Sequence, residues 1–332
     1  MIRAPKRANT AGMIDRRPAR AAFALAALVC VVGGCRSKEM PRRLADAGAE
    51  ESPPSEAAVK SIALLGGRCD KGELESCRVL GLMYAEGAVV PADPARARGL
   101  YDKACAGGLA KACNNLGLLH ASGIGTARDE ATAAGFYRKA CDGGDPLGCR
   151  NLGLMLADGR GVAADPAAAA ALFEKSCRAG VAFACNNLGA LHLAGRGLPA
   201  SPEKARALFH QACSGGDPVG CRNLGALYLE GRGVSRAPAA AAVWLERACN
   251  GNDAAGCRLL GLLVIEGRGV KVDEARGREL LTRACKDNDR PACEAMVQKG
   301  WAVRDDAAGG AGKDAAKDGE KQPPKDTAKG AP

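Results

Sequence analysis

The chain has 332 residues, a formal net charge of +10 and only 3% aromatic residues. Surfaces that bind single-stranded nucleic acid stack the bases on aromatic rings. An aromatic content this low therefore argues against nucleic-acid binding. Fourteen of the sixteen cysteines recur at regular spacing. A repeat array is therefore indicated, and the usual division into domains of about 150 residues does not apply.

Residues 1–34 predict a lipoprotein signal peptide. A basic stretch ends at Arg20, and the twelve apolar residues that follow are too few to span a bilayer. Val32-Gly33-Gly34-Cys35 then resembles the lipobox of bacterial lipoproteins, whose cysteine is lipidated and becomes the new N-terminus. We therefore expect Cys35 to anchor the protein, with Arg36 favouring the outer membrane, on its periplasmic face or at the cell surface. An ordinary secretory signal cleaved nearby is the alternative.

Residues 35–56 predict a polar tether, because they include the sequence EESPPSE and few large apolar side chains. Export carries the rest of the chain to a compartment in which disulfides persist. We therefore interpret its cysteines as disulfide partners, and we expect no metal and no cofactor. A zinc site needs four converging ligands, commonly from closer cysteine pairs.

Residues 57–300 contain the cysteine repeat. Seven cysteines follow one another at intervals of 36 residues, and each has a second cysteine eight residues later. A strict period of this kind indicates stacked supersecondary units. The pairs are Cys69 and Cys77, Cys105 and Cys113, Cys141 and Cys149, Cys177 and Cys185, Cys213 and Cys221, Cys249 and Cys257, and Cys285 and Cys293.

Two disulfide schemes fit this spacing. One joins cysteines eight residues apart and uses all fourteen. The other joins Cys113 to Cys141 and its equivalents, because these positions also lie close in an antiparallel helix pair. That scheme leaves Cys69 and Cys293 without partners, so the first scheme is preferred.

Residues 145–180 illustrate the predicted structure of one repeat unit. Pro146 suits a first helical turn, and Gly159-Arg160-Gly161 ends that helix. Asp165-Pro166 opens a second helix, which has Cys177 in its last turn. The unit is therefore a helical hairpin. A glycine recurs in the middle of each first helix at a cost of about 1 kcal/mol against alanine, which implies close helix contact there.

The Cys-x₂-Leu-Gly-x₂-Tyr opening, the Gly-Arg-Gly loop and the Lys-Ala-Cys close resemble the Sel-one-like repeats, and within them the cysteine-rich secreted branch known from Helicobacter. The resemblance covers residues 57–300 as six helix pairs with a half pair at each end. It implies an all-α fold, a right-handed α/α superhelical solenoid of 36-residue hairpins with a disulfide per repeat. It also implies an interaction scaffold related to tetratricopeptide repeats.

Some cysteine-rich relatives are described as penicillin-binding or weakly β-lactamase-like, so catalysis has to be considered. Ser201-Pro202-Glu203-Lys204 matches S-x-x-K, yet no S-D-N or K-T-G accompanies it. Ser201 stands in the column of helix-capping aspartates, and His120, His192 and His210 are too dispersed to share a metal. We expect no catalytic residues. A hydrolase and a cell-wall-binding module remain the alternative functions.

The positions after each second cysteine predict a peptide-binding surface, on the side that is concave in similar tetratricopeptide proteins. Asparagine amides there can bind a peptide backbone, and arginine can bind carboxylates. The loop arginines at 160, 196, 232 and 268 are expected to be solvated. The predicted binding residues are Arg78, Asn114, Arg150, Asn186, Arg222 and Arg258 in one column, and Asn115, Asn151, Asn187 and Asn223 in the next.

Residues 301–332 lack the apolar side chains that a core needs, so they predict a disordered tail rich in lysine, aspartate and alanine. Taken together, the sequence predicts a lipid-anchored envelope scaffold. It binds a protein or an extended peptide in a concave groove, with no nucleic-acid partner.

Overall fold

A computed structural model describes residues 55–301. The predicted signal peptide with Cys35, nearly all of the tether and nearly all of the tail lie outside the described residues. The described residues form helices and short loops, without a strand. The helices are α1 (Glu56–Asp70), α2 (Leu74–Glu86), α3 (Pro94–Ala106), α4 (Ala110–Ser122), α5 (Glu130–Asp142), α6 (Pro146–Asp158), α7 (Pro166–Arg178), α8 (Ala182–Ala194), α9 (Pro202–Ser214), α10 (Pro218–Glu230), α11 (Pro238–Asn250), α12 (Ala254–Glu266), α13 (Glu274–Lys286) and α14 (Arg290–Gln298).

The helices pair as hairpins that stack in chain order. Each even-numbered helix from α2 to α12 packs most extensively on the odd-numbered helix that follows it and next on the one that precedes it. Six complete hairpins run from α2–α3 to α12–α13, and α1 and α14 supply a half pair at the two ends. The predicted all-α solenoid of 36-residue hairpins is confirmed.

The sequence marks where the helices begin and end. The Asp165 carboxylate accepts a hydrogen bond from the N–H of Ala168, and Pro166 occupies the first turn of α7. Gly159 ends α6 with a φ of 69°, in the left-handed region that glycine adopts without steric penalty. Equivalent residues recur along the chain, so nearly every helix of the hairpins has 13 residues.

The mid-helix glycines lie where the two helices of a hairpin touch. A Cβ atom on Gly153 would lie 2.7 Å from the Phe173 ring, and one on Gly189 would lie 2.8 Å from the Phe209 ring. Both rings are fully buried. The expectation that these glycines permit close helix contact is therefore confirmed. The aromatic ring fills the space that a side chain at the glycine position would occupy.

Disulfides join successive repeats. Each one links the last turn of an odd-numbered helix to the first turn of the next even-numbered helix, with cysteines eight residues apart. No free cysteine is present within the part of the chain that the structure describes. The bridges are Cys69–Cys77, Cys105–Cys113, Cys141–Cys149, Cys177–Cys185, Cys213–Cys221, Cys249–Cys257 and Cys285–Cys293.

Two helix glycines provide a matched test of this packing. Gly153→Ala should destabilise the protein by about 1 to 3 kcal/mol, because the new methyl group overlaps the Phe173 ring. Gly135→Ala should instead stabilise it by roughly 1 kcal/mol, because Gly135 lies in α5 with open space around it. Urea unfolding of the oxidised proteins, followed by circular dichroism, measures both changes. Equal shifts of the unfolding midpoint would contradict the packing described.

Candidate binding surface

The even-numbered helices lie on the inner side of the solenoid. Helices α4 and α6, α8 and α10, α10 and α12, and α12 and α14 contact each other directly across the repeat junctions. The odd-numbered helices of successive repeats have at most marginal contacts. Because the even-numbered helices are therefore closer together, the solenoid curves toward them. Each packs one side on two odd-numbered helices and leaves the opposite side as an inner face.

The inner face is formed by three positions on each even-numbered helix. Side chains near the helix start are charged or apolar, those at the middle are apolar, and most of those at the end are acidic or small. In chain order the first position holds Glu75, Lys111, Leu147, Phe183, Val219 and Ala255, the second Leu82, Leu118, Leu154, Ala190, Ala226 and Leu262, and the third Glu86, Ser122, Asp158, Ala194, Glu230 and Glu266.

None of these positions is among the binding residues predicted from the sequence. On a helical wheel, the mid-helix glycines and the leucines that precede them face the odd-numbered helices. The positions on the opposite side of the wheel are those of the inner face. The predicted binding columns lie on the two flanks of the inner face instead. They occupy the seams between neighbouring even-numbered helices.

The predicted asparagines are mostly buried in these seams. Asn186 and Asn187 have no exposed surface, whereas Asn151 is half-buried. This differs from the expected groove lining, because the inward curvature closes the gap between successive even-numbered helices. The buried asparagines are Asn114, Asn115, Asn186, Asn187 and Asn223.

Two asparagine pairs connect successive repeats. The Nδ2 of Asn151 donates to Oδ1 of Asn114 over 2.9 Å, and the Nδ2 of Asn223 donates to Oδ1 of Asn186 over 2.8 Å. Asn187 differs, because neither of its amide atoms has a hydrogen-bond partner. The column therefore stabilises repeat junctions, and its contact with a partner stays a prediction.

The predicted arginines are half-buried and also contact the protein itself. Arg222 pairs with Asp253 at 2.7 Å, and Arg258 pairs with Asp289 at 2.8 Å. Both aspartates cap the next even-numbered helix, so each ion pair crosses a repeat junction. Arg150 lies 5.5 Å from the centre of the Phe183 ring on the next even-numbered helix.

The acidic groups of this region respond differently to their surroundings. A hydrogen bond from Arg78 lowers the pKa of Glu75 below its ordinary value. Burial raises the pKa of Glu86 and also that of Asp145, which caps α6. Ionisation of these carboxyl groups is therefore favoured where arginine donates a hydrogen bond and opposed where burial removes water.

The loop arginines are less solvated than the sequence predicts. The Nη2 of Arg196 donates to the Ala157 carbonyl over 2.5 Å, and that of Arg232 donates to the Leu193 carbonyl over 3.4 Å. These carbonyls belong to the last turns of α6 and α8, where no intrahelical donor remains. Arg196, which follows α8, therefore caps α6, and Arg232, which follows α10, caps α8. Arg268 is exposed, as expected.

The residues considered for catalysis have structural contacts. The Ser201 Oγ accepts a hydrogen bond from the Lys204 backbone N–H over 3.3 Å and so caps α9. His120 stacks on Phe136, with ring centres 5.4 Å apart. Between residues 55 and 301, no group of three histidine, cysteine, aspartate or glutamate residues is placed to hold a metal ion.

This stack of disulfide-linked helical hairpins defines a protein of the α-solenoid class. The Sel1 repeat family model matches six consecutive segments, which together cover well over half of the chain, so the protein belongs to the Sel1 repeat family. Sel1 repeat proteins are generally protein-interaction scaffolds. The matched segments are residues 74–109, 110–145, 146–181, 182–217, 218–253 and 254–289.

Solved structures share the fold. A protective antigen of uropathogenic Escherichia coli with an SLR fold is 27% identical and superposes with a TM-score of 0.65 over 72% of this chain. The chain spans 52% of that antigen's length. A Sel1 repeat protein from Oxalobacter formigenes is 20% identical, with a TM-score of 0.62, and the match covers 69% of this chain and 97% of that one.

Cysteine-rich protein B of Helicobacter pylori is 28% identical over 39% of this chain and 93% of its own, with a TM-score of 0.33. Among curated protein sequences, none matches the chain significantly. The described helices are all too short or too polar to cross a membrane.

The asparagine column yields a stability prediction. Asn223→Ala should destabilise the protein by about 1 to 3 kcal/mol more than Asn187→Ala, because only the first change leaves the buried Oδ1 of Asn186 without its donor. Both changes remove the same atoms from buried positions, so the cavity cost is similar. Chemical unfolding of the two oxidised variants measures the difference. A larger loss for Asn187→Ala would mean that its amide has a partner in solution.

Proposed function

We propose that the protein is an envelope-anchored scaffold that binds an extended segment of a protein partner along its inner face. The observation that carries this proposal is the continuity of that face. The same three positions recur on successive even-numbered helices, with apolar side chains at the centre and a mixture of charged, apolar and small side chains toward the ends.

The frame behind this surface favours such binding. Neighbouring repeats are joined by disulfides, asparagine pairs and ion pairs, so the inner face is organised before a partner arrives. A preformed surface lowers the ordering cost of association. Packed helices are spaced about 8 to 10 Å apart. An extended chain advances about 3.3 Å per residue, so roughly three partner residues pass each repeat.

The predicted binding residues contribute to this function in two ways. Half-buried members such as Arg78, Asn151 and Arg258 have surface available to a partner. The fully buried asparagines fix the spacing between the helices that carry the inner face. The proposal therefore assigns direct contact mainly to the inner face and its flanks.

Disulfide bonds in every repeat are typical of extracytoplasmic proteins, since thiols stay reduced in the cytosol. This supports an envelope location. The sequence Val32-Gly33-Gly34-Cys35 supports attachment through a lipid on Cys35, on the membrane face where an extracytoplasmic partner is accessible. The alternatives of a β-lactamase-like hydrolase and a cell-wall-binding module gain no specific observation beyond the sequence.

Photo-crosslinking tests which side of the solenoid binds. A photoreactive phenylalanine placed at Lys111 or Ser122 on the inner face should yield one discrete protein adduct in intact cells. The matched controls are Arg138 and Val243, which are exposed on odd-numbered helices. Adducts are read by immunoblotting and mass spectrometry. Adducts only from the control positions would place the partner on the outer side, and adducts to peptidoglycan would favour the cell-wall function.

Metabolic labelling tests the anchor. Labelled palmitate should be incorporated into the wild-type protein and not into Cys35→Ser, because the thiol carries the lipid. Fractionation should find the wild type with membranes and Cys35→Ser in the soluble envelope fraction. Wild-type protein without label would exclude the lipid anchor and favour an ordinary secretory signal.

A further inference from the structure

Each end of the solenoid carries a helix without the hairpin partner that its equivalents have. Between residues 55 and 301, no helix precedes α1 and none follows α14. Helix α1 is odd-numbered, so its open side is the one that contacts an even-numbered helix elsewhere. Leu64 lies there and is 58% exposed, whereas the equivalent Phe136 stacks on His120 of the preceding even-numbered helix. The open side of α14 is the one that an odd-numbered helix covers elsewhere. Packing α1 of a second copy on α14 would therefore continue the array.

The middle of every complete hairpin has a glycine on the even-numbered helix, at the point where the odd-numbered helix touches it. A Cβ atom on Gly117 would lie 2.5 Å from the Tyr137 ring. On Gly261 it would lie 3.1 Å from the carbonyl oxygen of Gly277. Val297 occupies this position in α14 and is 65% exposed. Because helices pack without spare volume, its Cβ atom and two methyl groups fill the space that an odd-numbered helix needs.

The start of α14 also departs from the repeat. In the complete hairpins the first residue of the even-numbered helix lies against the residue that ends the next odd-numbered helix, as Leu74 does beneath Gly107. Arg290 occupies this position in α14, and its exposed side chain pairs with Glu294. Lys71 ends α1 as Gly107 ends α3. A second copy would therefore bring two cations together, and like charges in an interface disfavour association. The equivalents of Arg290 are Leu74, Ala110, Pro146, Ala182, Pro218 and Ala254.

We propose that Val297 and Arg290 close the C-terminal end of the solenoid against a second copy of the chain. Val297 excludes the copy by its volume, and Arg290 excludes it by its charge. The ends of repeat arrays are commonly kept soluble by a polar outer face. Here the mid-helix residue is apolar and acts sterically.

The consequence of this closure is a fixed length. Contacts between α14 of one copy and α1 of the next would be head to tail, and such contacts form open filaments when the rotation between copies does not close. The closed end keeps the inner face at the length that one chain supplies. This inference does not depend on the proposed function, because it concerns only how copies of the chain meet.

The test compares variants that differ in one Cβ atom. The oxidised, exported protein carrying Cys35→Ser should sediment as a monomer over a hundredfold range of concentration. Adding Arg290→Ala and Val297→Gly should cause association, with an average mass that approaches twice that of the monomer at the highest concentration. Arg290→Ala with Val297→Ala is the matched control. It should stay monomeric, because a Cβ atom remains at the point of closest contact.

Two further variants complete the experiment. Leu64→Asp, added to the associating variant, should restore the monomer, because it places a charge on the open side of α1. Replacing residues 290–297 with residues 254–261 should also cause association, since that stretch of α12 has alanine and glycine at the two positions and forms a helix in this chain. Circular dichroism and mapping of the Cys285–Cys293 bridge verify that α14 stays folded.

Three results would each overturn the inference. The first is association of the protein with Val297 and Arg290 intact, or of the matched control. The second is a monomer from both variants that are expected to associate. The third is association that survives Leu64→Asp, which would place the contact on another surface.

Discussion

The contact between the end of each odd-numbered helix and the start of the next even-numbered helix determines the rest of this structure. The disulfide fixes that contact, and closing a loop of this length stabilises a protein by roughly 2 to 3 kcal/mol. Its main effect is geometric, because the same junction is repeated at every 36th residue. The buried residues form a series of local clusters, each of which packs on its neighbours. Stability and curvature therefore accumulate from one junction to the next.

The inner face follows from this repeated junction. Because the even-numbered helices come close together, the residues on their flanks lose contact with water and pair with one another, as Asn186 and Asn223 do. Most residues between the flanks keep some exposed surface, although Leu154, Ala190 and Val219 are buried. Polar groups thus organise the seams, while mixed apolar and charged groups face a partner. A surface arranged in this way is stiff along its length and varies in chemistry from repeat to repeat.

Much of the fold can be predicted from the sequence, since the 36-residue period, the capping aspartates and the mid-helix glycines act over short distances. The glycine column predicted close helix contact, and the Phe173 ring fills that space. Burial of Asn187 and capping by Arg196 could not be predicted in this way. Both depend on the distance between helices of different repeats. A helical wheel describes a single helix and does not include that distance.

The position of the disulfides also affects how such an array changes length during evolution. Any segment of 36 residues within the array contains one cysteine of each kind, and each cysteine is bonded across a junction. Duplicating or deleting one such segment therefore restores every bridge and leaves no unpaired thiol that would react during export. A local feature such as the start of α8, which has no side-chain cap, is duplicated or deleted together with its own segment. Gene duplication can thus lengthen the inner face, or move one junction relative to another, without disturbing oxidative folding.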